Sequence, residues 1–376
     1  MAGKVTARIP AGMRDILPAQ MIKRQYVIDV IRRVFEEFGF EPLQTSAIEL
    51  TETLTGKYGE DAERLIYKAW YGDTPGDEFS LRYDLSVPLC RVVSMYADQL
   101  PQPFKRYQIA PVWRADRPQK GRYREFFQCD ADVVGTTSML ADAEVVAVTA
   151  TVLQRLGFTN FTVSINSRKV LAGIGEYAGV PESLRAGLYR SIDKLDKIGI
   201  EGVRRELLMV GVPQDYIPAI QRVARLAIQK KVDPGAIGEA LAAPGDGGAT
   251  GVDPRLAALI TPRLKGLAEK VLTEGFNPGE LQALTLNMAG ELAPELRAFY
   301  GEAVDAIPVE VVDRMLDLLQ VSGRNDEVLD SLLERLQGIP IAEEGIRDLQ
   351  EMARYLAALG IPEQAYAINF AMVRGL

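Results

Sequence analysis

Two strand-like runs joined by a short, turn-rich segment most constrain how this chain can fold. The runs are FKRYQIAPVWRAD at 104–116 and RYREFFQCDADVVG at 122–135, and the segment between them is RPQKG. Strand-like segments that flank a connection containing Gly and Pro are typical of a β-hairpin. The sequence therefore predicts an antiparallel hairpin with a long tip.

Helical spacing and capping residues predict the elements that precede the hairpin. Residues 20–38 carry apolar side chains at helical spacing, and Gly39 ends that helix. A further strand ends near Asp84. The helix after it is predicted to begin with Ser86 as its N-cap and with Pro88 in its first turn.

The composition of the chain changes at about residue 168. From there to about residue 360, Ala, Leu, Glu and Arg dominate and helical periodicity recurs. A Gly- and Pro-rich stretch at 243–254, APGDGGATGVDP, interrupts this region. Its glycines would suit a phosphate-binding loop, but the Lys-Ser/Thr ending of such loops is absent. We therefore interpret 243–254 as a surface linker.

The chain contains no histidine, which excludes a large part of enzyme chemistry. Neither Ser-His-Asp nor Cys-His catalysis, nor a zinc or iron site built on histidine, is possible within it. The two cysteines, Cys90 and Cys129, lack zinc-site spacing and predict free thiols. Catalysis is left to Arg, Lys, carboxylates, backbone groups and a metal that arrives with the substrate. That set is typical of reactions at phosphates, and we expect no protein-bound zinc or iron.

Length and charge indicate a globular protein without a membrane partner. The chain has 376 residues, 43 basic and 51 acidic side chains, and a net charge of −8. Its length suggests two or three domains. No apolar run approaches the roughly 20 residues that span a bilayer, and the first residues lack the apolar core of a secretory signal. These features predict a cytoplasmic location.

The tip of the hairpin is basic although the chain is acidic. Strand alternation divides the second run into two faces. The polar face contains Arg122, Arg124, Phe126, Gln128, Asp130 and Asp132. The other, predicted to be a core face, contains Tyr123, Phe127, Cys129, Ala131 and Val133. Arginine beside phenylalanine suits a nucleotide, because Arg binds phosphate and Phe stacks on a base. The alternative is a solvated hairpin with scattered ion pairs.

The order of residues in the hairpin resembles a known motif. WRAD, a basic loop and then RYREF resemble motif 2 of class II aminoacyl-tRNA synthetases, and the whole stretch KRYQIAPVWRADRPQKGRYREFFQCDADVVG is similar to the histidyl-tRNA synthetase family. Other segments share this resemblance: PAGMRDILP, TETLTGKYGEDAERLIY, LRYDLSVPLCR, INSRKVLAGI, SIDKLDKIG and INFAMVRGL. The resemblance covers 10–200 and 345–376, in the eukaryote-like bacterial version of the family.

The resemblance implies an α+β fold, the class II catalytic domain, with a mostly antiparallel mixed sheet flanked by helices and a large helical insertion. Residues 1–167 would form the catalytic core with motifs 1 and 2. Residues 168–343 would form the helical insertion, and 344–376 would return to the core. The resemblance also implies a homodimer. The stretch TSAIE departs from the usual motif 1, because Ser46 stands where the family carries proline.

The resemblance also implies roles for particular residues. Arg114 and Arg374 would be catalytic, on opposite sides of the α-phosphate, and both would contact histidine. The other contacts to histidine would be Asp84, Leu85, Ser86, Gln128 and Asp132, with Asp132 accepting from the imidazole. The contacts to ATP would be Arg114, Asp116 near the adenine amino group, Arg122 at the γ-phosphate and Phe126 stacked on adenine.

The implied activity is that of a ligase in protein biosynthesis. It would join L-histidine to ATP, whose Mg²⁺ arrives with the nucleotide, and transfer the histidyl group to tRNA(His). The family signature that begins at INFAMVRGL usually continues further, so we expect a truncated chain that is inactive alone. An alternative is the synthetase-like regulatory subunit of ATP phosphoribosyltransferase, but its motif 2 arginines tend to be eroded, whereas Arg114, Arg122 and Arg124 are present here.

Overall fold

The computed structural model describes residues 7–58, 60–72, 75–211, 253–262 and 307–372, with the single residues 237, 265 and 299. The chain separates into two compact units. The first comprises Met1–Val163 and Glu351–Tyr366, and the second Ser164–Gln350 and Ala367–Leu376. Most of the predicted linker at 243–254 lies outside the described residues. No helix in the described ranges combines the length and apolar character needed to cross a bilayer.

The first unit mixes short strands with helices. In chain order its elements are α1 (Pro18–Glu37), β1 (Glu41–Pro42), β2 (Ile48–Leu50), α2 (Thr51–Leu54), α3 (Glu60–Glu63), β3 (Lys68–Ala69), β4 (Phe79–Leu81), α4 (Ser86–Tyr96), a 3₁₀ turn (Ala97–Gln99), β5 (Phe104–Trp113), β6 (Glu125–Val134) and α5 (Met139–Arg155). One sheet has the order β1-β5-β6 and another the order β2-β4-β3. Of the four strand pairs in these two sheets, β1–β5 is parallel and the other three are antiparallel, so the predicted mixed, mostly antiparallel arrangement is confirmed.

The predicted hairpin is confirmed as β5 and β6. Its pairing runs without a bulge from Phe104 opposite Val134 to Trp113 opposite Glu125. An isolated bridge between Gln119 and Arg122 closes the tip. Because ten residues pair on each strand, the register fixes which side chains of β5 lie beside those of β6.

One face of this sheet packs on helices α1 and α5. The buried cluster consists of Val34, Phe35, Phe40, Tyr107 and Val148, and Ala131 and Val133 of β6 pack against it. The core face predicted for these two β6 residues is therefore confirmed. Cys129 was predicted to share that face but is exposed. It lies nearer the tip, where the hairpin extends beyond the buried cluster. Phe127, also predicted for this face, is half-buried with the guanidinium of Arg24 over its ring.

The start of α4 differs from the sequence prediction. Ser86 is the first helical residue, and the N-cap position is taken by Leu85, which makes no side-chain capping hydrogen bond. The backbone N–H of Val87 instead donates to Oδ1 of Asp84, at 3.1 Å. An Asp carboxylate satisfies a free N–H of the first turn as well as a Ser hydroxyl does, and its charge also favours the helix N-terminus. The prediction of Pro88 in the first turn is confirmed.

The second unit is mainly helical. Its helices are α6 (Arg168–Tyr177), α7 (Glu182–Ile192), α8 (Leu195–Met209), α9 (Val309–Leu319), α10 (Asn325–Arg335) and α11 (Pro340–Ala358, which continues into the first unit). The paired strands β7 (Val163–Ile165) and β8 (Tyr366–Ile368) each have their first residue in the first unit and the other two in the second, and a 3₁₀ turn (Glu363–Ala365) belongs to the first unit. Helices α6 and α11 approach closely, because a Cβ added at Gly345 would lie 2.7 Å from Cβ of Lys169. The interpretation of this unit as an insertion stays a prediction.

Candidate active site

The face of the hairpin opposite the helices carries a row of polar side chains. Register places Arg106 of β5 opposite Asp132 of β6, and Gln108 opposite Asp130. Gln128 comes next toward the tip, opposite Ala110. The sequence predicted the β6 members of this row but not the contribution of β5.

Arg106 is the most deeply buried charged residue of this row. Its side chain is 0% exposed, and Nη2 lies 2.7 Å from Oδ2 of Asp132. Nη2 also donates to the carbonyl oxygen of Leu85, at 3.1 Å. Burial lowers the pKa of Arg106, while Asp132 opposes that shift. Sequence analysis missed Arg106; its position two residues before Gln108 on one strand face was the available signal.

The two aspartates of β6 occupy a partly desolvated environment. Burial raises the pKa of Asp130 to about 6; Arg106 opposes the rise, and the charges of Asp132 and Asp84 add to it. Burial likewise raises the pKa of Asp132, against the effect of Arg106. Carboxyl groups with raised pKa values in one cluster are a mark of functional sites. Asp130 was given no role by the sequence, yet the structure places it in this cluster.

The segment before α4 lies beside the same row. Asp84 accepts hydrogen bonds from the hydroxyl of Tyr58, at 2.8 Å, and from the N–H of Val87. Leu85 is fully buried, and its carbonyl oxygen accepts the hydrogen bond from Arg106, whereas Ser86 is exposed. Burial and the charge of Asp84 raise the pKa of Tyr58, which keeps its hydroxyl protonated as a donor. Tyr58 therefore holds Asp84 in place.

Arg114 lies at the end of β5 between two aromatic rings. Its Nε donates to the carbonyl oxygen of Tyr83, at 3.1 Å. The guanidinium carbon is 4.3 Å from the centroid of the Tyr83 ring and 5.1 Å from that of Phe126. Stacking on two rings restricts the guanidinium plane and leaves its two terminal nitrogens to bind an oxyanion. The structure thus brings the predicted phosphate and adenine contacts, Arg114 and Phe126, side by side.

The other predicted ATP contacts form an ion pair with each other. Nη2 of Arg122 lies 3.0 Å from Oδ1 of Asp116. The side chain of Arg122 is 58% exposed and that of Asp116 is 12% exposed. An ion pair with one exposed partner adds little stability, so Arg122 is free to exchange Asp116 for a phosphate.

A turn near the N-terminus supports the base of the hairpin tip. Nη1 of Arg124 donates to the carbonyl oxygen of Ala11, and its backbone N–H donates to that of Gly12. Nε of Arg124 binds the carbonyl oxygen of Asp116, and its own carbonyl accepts from the N–H of Arg114. The guanidinium of Arg124 is thus engaged with backbone oxygens. Arg124 therefore links the N-terminal turn to Arg114 and Asp116, two of the four predicted ATP-binding residues.

Gly12 is required in this turn for space as well as conformation. Its φ is +82°, and a Cβ there would lie 2.8 Å from side-chain atoms of Arg124 and Pro118. Gly121 at the tip has the same φ of +82° but nothing within 4 Å of an added Cβ. We expect Gly12→Ala to lower the free energy of unfolding by about 1–3 kcal/mol more than Gly121→Ala does, through overpacking. Urea denaturation of both variants measures this, and equal losses would contradict the steric argument.

Two further observations complete the placement of the predicted residues. Arg374 lies outside the described residues, so its position opposite Arg114 stays a prediction. Within the described part of the chain, no group of three or more Cys, Asp or Glu side chains is placed to hold a metal ion. A cavity of about 570 Å³ in the first unit is lined by Pro42–Ala47 and by Tyr107–Pro111, and none of the predicted histidine or ATP contacts lines it.

Comparison with known proteins identifies relatives of this chain. The histidyl-tRNA synthetase family model matches residues 12–261. The chain is 50% identical over 236 residues to histidine–tRNA ligase of Gloeobacter violaceus, covering 57% of this chain and 50% of that protein. It is 48% identical over 217 residues to the ligase of Aeropyrum pernix, covering 57% and 49%. The chain therefore spans about half the length of these curated relatives.

Solved structures agree with the sequence comparisons. The histidyl-tRNA synthetase of Nostoc sp. PCC 7120 has a TM-score of 0.64 at 25% identity, covering 99% of this chain and 63% of that chain. A Bacillus halodurans structure titled ATP phosphoribosyltransferase regulatory subunit/histidyl-tRNA synthetase has a TM-score of 0.57 at 16% identity, covering 97% and 68%, and shows the fold alone. The predicted class II fold is confirmed. Because the family model covers more than half of its residues, this chain belongs to the histidyl-tRNA synthetase family.

Proposed function

We propose that this chain activates L-histidine with ATP and passes the histidyl group to tRNA(His), the activity for which its relatives are named histidine–tRNA ligase. The observation that carries the proposal is the single polar face of the hairpin. Arg114 and Phe126 lie at its tip end, and Asp132 lies six residues beyond Phe126. At about 3.3 Å per residue, roughly 20 Å of strand separates Phe126, which would stack on the base, from the carboxylate of Asp132. Gln128 lies between them.

The activation step needs charge neutralisation but no proton transfer. A carboxylate oxygen of histidine attacks the α-phosphorus, a new O–P bond forms, and the bond to the β-phosphate oxygen breaks to release pyrophosphate. Negative charge develops on the non-bridging oxygens of the α-phosphate. The guanidinium of Arg114, which stacks on the rings of Tyr83 and Phe126, would donate to those oxygens. This mechanism suits a chain that has no histidine to act as a base.

The inner end of the face would select histidine. Asp132 would accept from an imidazole N–H, while Asp84 and Gln128 would bind the α-ammonium group. The Oε1 atom of Gln128 is buried and has no hydrogen-bond partner among the described residues, so it retains its accepting capacity. A buried acceptor that the wrong side chain leaves unpaired costs about 1–3 kcal/mol. Such sites reject ligands that lack the matching N–H.

At the tip, Arg122 would leave Asp116 to meet the γ-phosphate, and Asp116 would then accept from the adenine amino group. Mg²⁺ would arrive bound to ATP, and none of these steps depends on a metal held by the chain. A homodimer and a cytoplasmic location are proposed from the family resemblance alone.

Binding of a histidyl-adenylate analogue with a non-hydrolysable sulfamoyl linkage tests the proposal. We expect this analogue to bind at least roughly a hundred times more tightly than histidine alone, because reaction-intermediate mimics engage both halves of a site. The phenylalanyl analogue, similar in shape but without ring nitrogens, is the control. It should bind at least roughly a hundredfold more weakly. Calorimetry giving equal affinities for the two analogues, or no binding of either, would overturn the proposal.

The same experiment distinguishes the proposed activity from the alternative, a regulatory subunit of ATP phosphoribosyltransferase. A subunit that only senses histidine gains little from the adenylate half of the analogue. Equal affinity for histidine and for its adenylate analogue, together with stimulation of an ATP phosphoribosyltransferase, would favour that alternative.

A further inference from the structure

Arg106 connects two segments of the proposed amino-acid site. Through Nη2 it contacts both the carbonyl oxygen of Leu85, between Asp84 and Ser86, and the carboxylate of Asp132 on β6. These segments are far apart in sequence, and one fully buried guanidinium lies between them. A planar, always charged group is suited to holding two oxygen acceptors at a fixed separation.

The contact with Asp132 leaves accepting capacity for a ligand. The 2.7 Å approach lies outside hydrogen-bonding angles, so Oδ2 of Asp132, which is itself buried, has no hydrogen-bond partner within the described ranges. Nε and Nη1 of Arg106 have none there either. Asp132 is 30% exposed, whereas Arg106 is 0% exposed. The accessible part of the half-buried Asp132 side chain can therefore meet a ligand, while the buried Arg106 supplies positive charge from behind.

The charged groups around Arg106 and Asp132 show how Arg106 affects the protonation of the nearby carboxylates. Asp130 and Asp132 of β6, together with Asp84 and Cys90 at α4, face the guanidinium, and Arg114 acts on Asp130 from the tip side. Without a cation among them, burial and mutual repulsion of the carboxylates favour their protonated forms. Arg106 lowers the pKa of Asp132 against the effect of burial.

We infer that Arg106 is a positioning residue of the amino-acid site. Arg106 holds Asp132 ionised and oriented toward an imidazole N–H, and it fixes the 84–86 segment beside Asp132. This inference rests on the proposed function, since it concerns the same histidine site. Arg106 acts through Asp132 and Leu85 and does not touch the substrate.

Histidine affinity of Arg106 variants provides the first test. Arg106→Met is expected to weaken histidine binding by roughly ten- to a hundredfold at pH 6.5, with little change for ATP. Arg106→Lys keeps the charge but loses the planar fork, so its loss should be smaller. The matched control is Arg82→Met. Arg82 is 4% exposed, but its guanidinium donates to the carbonyl oxygens of Thr45, Ser46 and Pro111 and faces no predicted histidine contact.

The pH dependence of histidine binding shows whether Arg106 acts through its positive charge. Removing Arg106 raises the pKa of Asp132 further, so more of it is protonated at low pH. The ratio of variant to wild-type dissociation constants, in which titration of the ligand cancels, should therefore fall as pH rises from 6 to 8.5. A ratio independent of pH would overturn the charge role of Arg106.

A measurement without substrate separates this inference from the proposed function. In ¹³C-Asp-labelled protein, the carboxyl signal that disappears in Asp132→Asn belongs to Asp132. Its titration midpoint should move to higher pH in Arg106→Met and stay unchanged in Arg82→Met. If the wild-type chain binds no histidine but this shift occurs, the proposed function fails while the charge role stands. An unmoved midpoint overturns the inference, whatever the binding result.

The double variant Arg106→Met/Asp132→Asn removes both charges and covers the case in which Arg106→Met alone does not fold. Because Arg106 acts mainly through Asp132, the double variant should bind histidine within about threefold of Asp132→Asn alone. If the losses of histidine affinity in the two single variants add in full in the double variant, Arg106 acts independently of Asp132, and the inference is overturned.

Discussion

In an enzyme completed to the length of its curated relatives, replacing Arg114 by Lys is expected to lower histidine-dependent ATP–pyrophosphate exchange by roughly a hundredfold or more, the scale of losing one oxyanion donor. Lysine keeps the positive charge but has no planar fork and does not stack between the rings of Tyr83 and Phe126 as Arg114 does. Affinity for the histidyl-adenylate analogue should fall by roughly ten- to a hundredfold, because hydrogen bonds from a charged group contribute about 1.5–3 kcal/mol.

The matched control is Arg155→Lys. Arg155 is 41% exposed and pairs with Glu37 at the surface of the same unit, so its exchange for lysine should change neither measurement. The proposed role of Arg114 is wrong if exchange and analogue affinity of Arg114→Lys stay within threefold of wild type.

Asp132→Asn is expected to weaken histidine binding by roughly ten- to a hundredfold while ATP affinity changes by less than about threefold. Asparagine has nearly the same shape, so the variant removes the charge and one acceptor without opening a cavity. It also leaves the buried guanidinium of Arg106 without its 2.7 Å carboxylate partner. Calorimetric titration with each ligand separately measures the difference.

The effect of Asp132→Asn on protein stability must be separated from its effect on the selection of histidine. Asp142→Asn in the first turn of α5 is exposed and serves as a control for the change of side chain. Thermal unfolding of Asp132→Asn shows how far the fold itself is weakened. Equal losses of histidine and ATP affinity would indicate a general disturbance and would remove Asp132 from the proposed imidazole site.

Local sequence patterns were sufficient for the hairpin and one face of its second strand. Alternation of side chains along a strand has a period of two, so a strand shows its two faces without knowledge of its neighbours. The core contacts of Ala131 and Val133 follow that pattern. Cys129 departs from it, because the extent of the covering helices, and not alternation, decides how much of a face is buried.

The start of α4 shows where local rules allow two solutions. Ser86 and Asp84 are both good capping residues, and Ser86 was the one predicted from the sequence. The structure selects Asp84, whose Oδ1 accepts from both Val87 and Tyr58. The bond from Tyr58 spans 26 residues, and no pattern in the local sequence reports it.

By itself, the sequence determined the secondary structure of the hairpin, its polar face and the absence of histidine chemistry, since these depend only on residue type and spacing. The tertiary structure alone placed Arg106 behind Asp132, paired Arg122 with Asp116, and brought the turn at Gly12 against Arg124. Each of these contacts depends on strand register or on a loop returning from a distant part of the chain. Register is set by the packing of a whole face, so a side chain such as Arg106 acquires its partner only when both strands are in place.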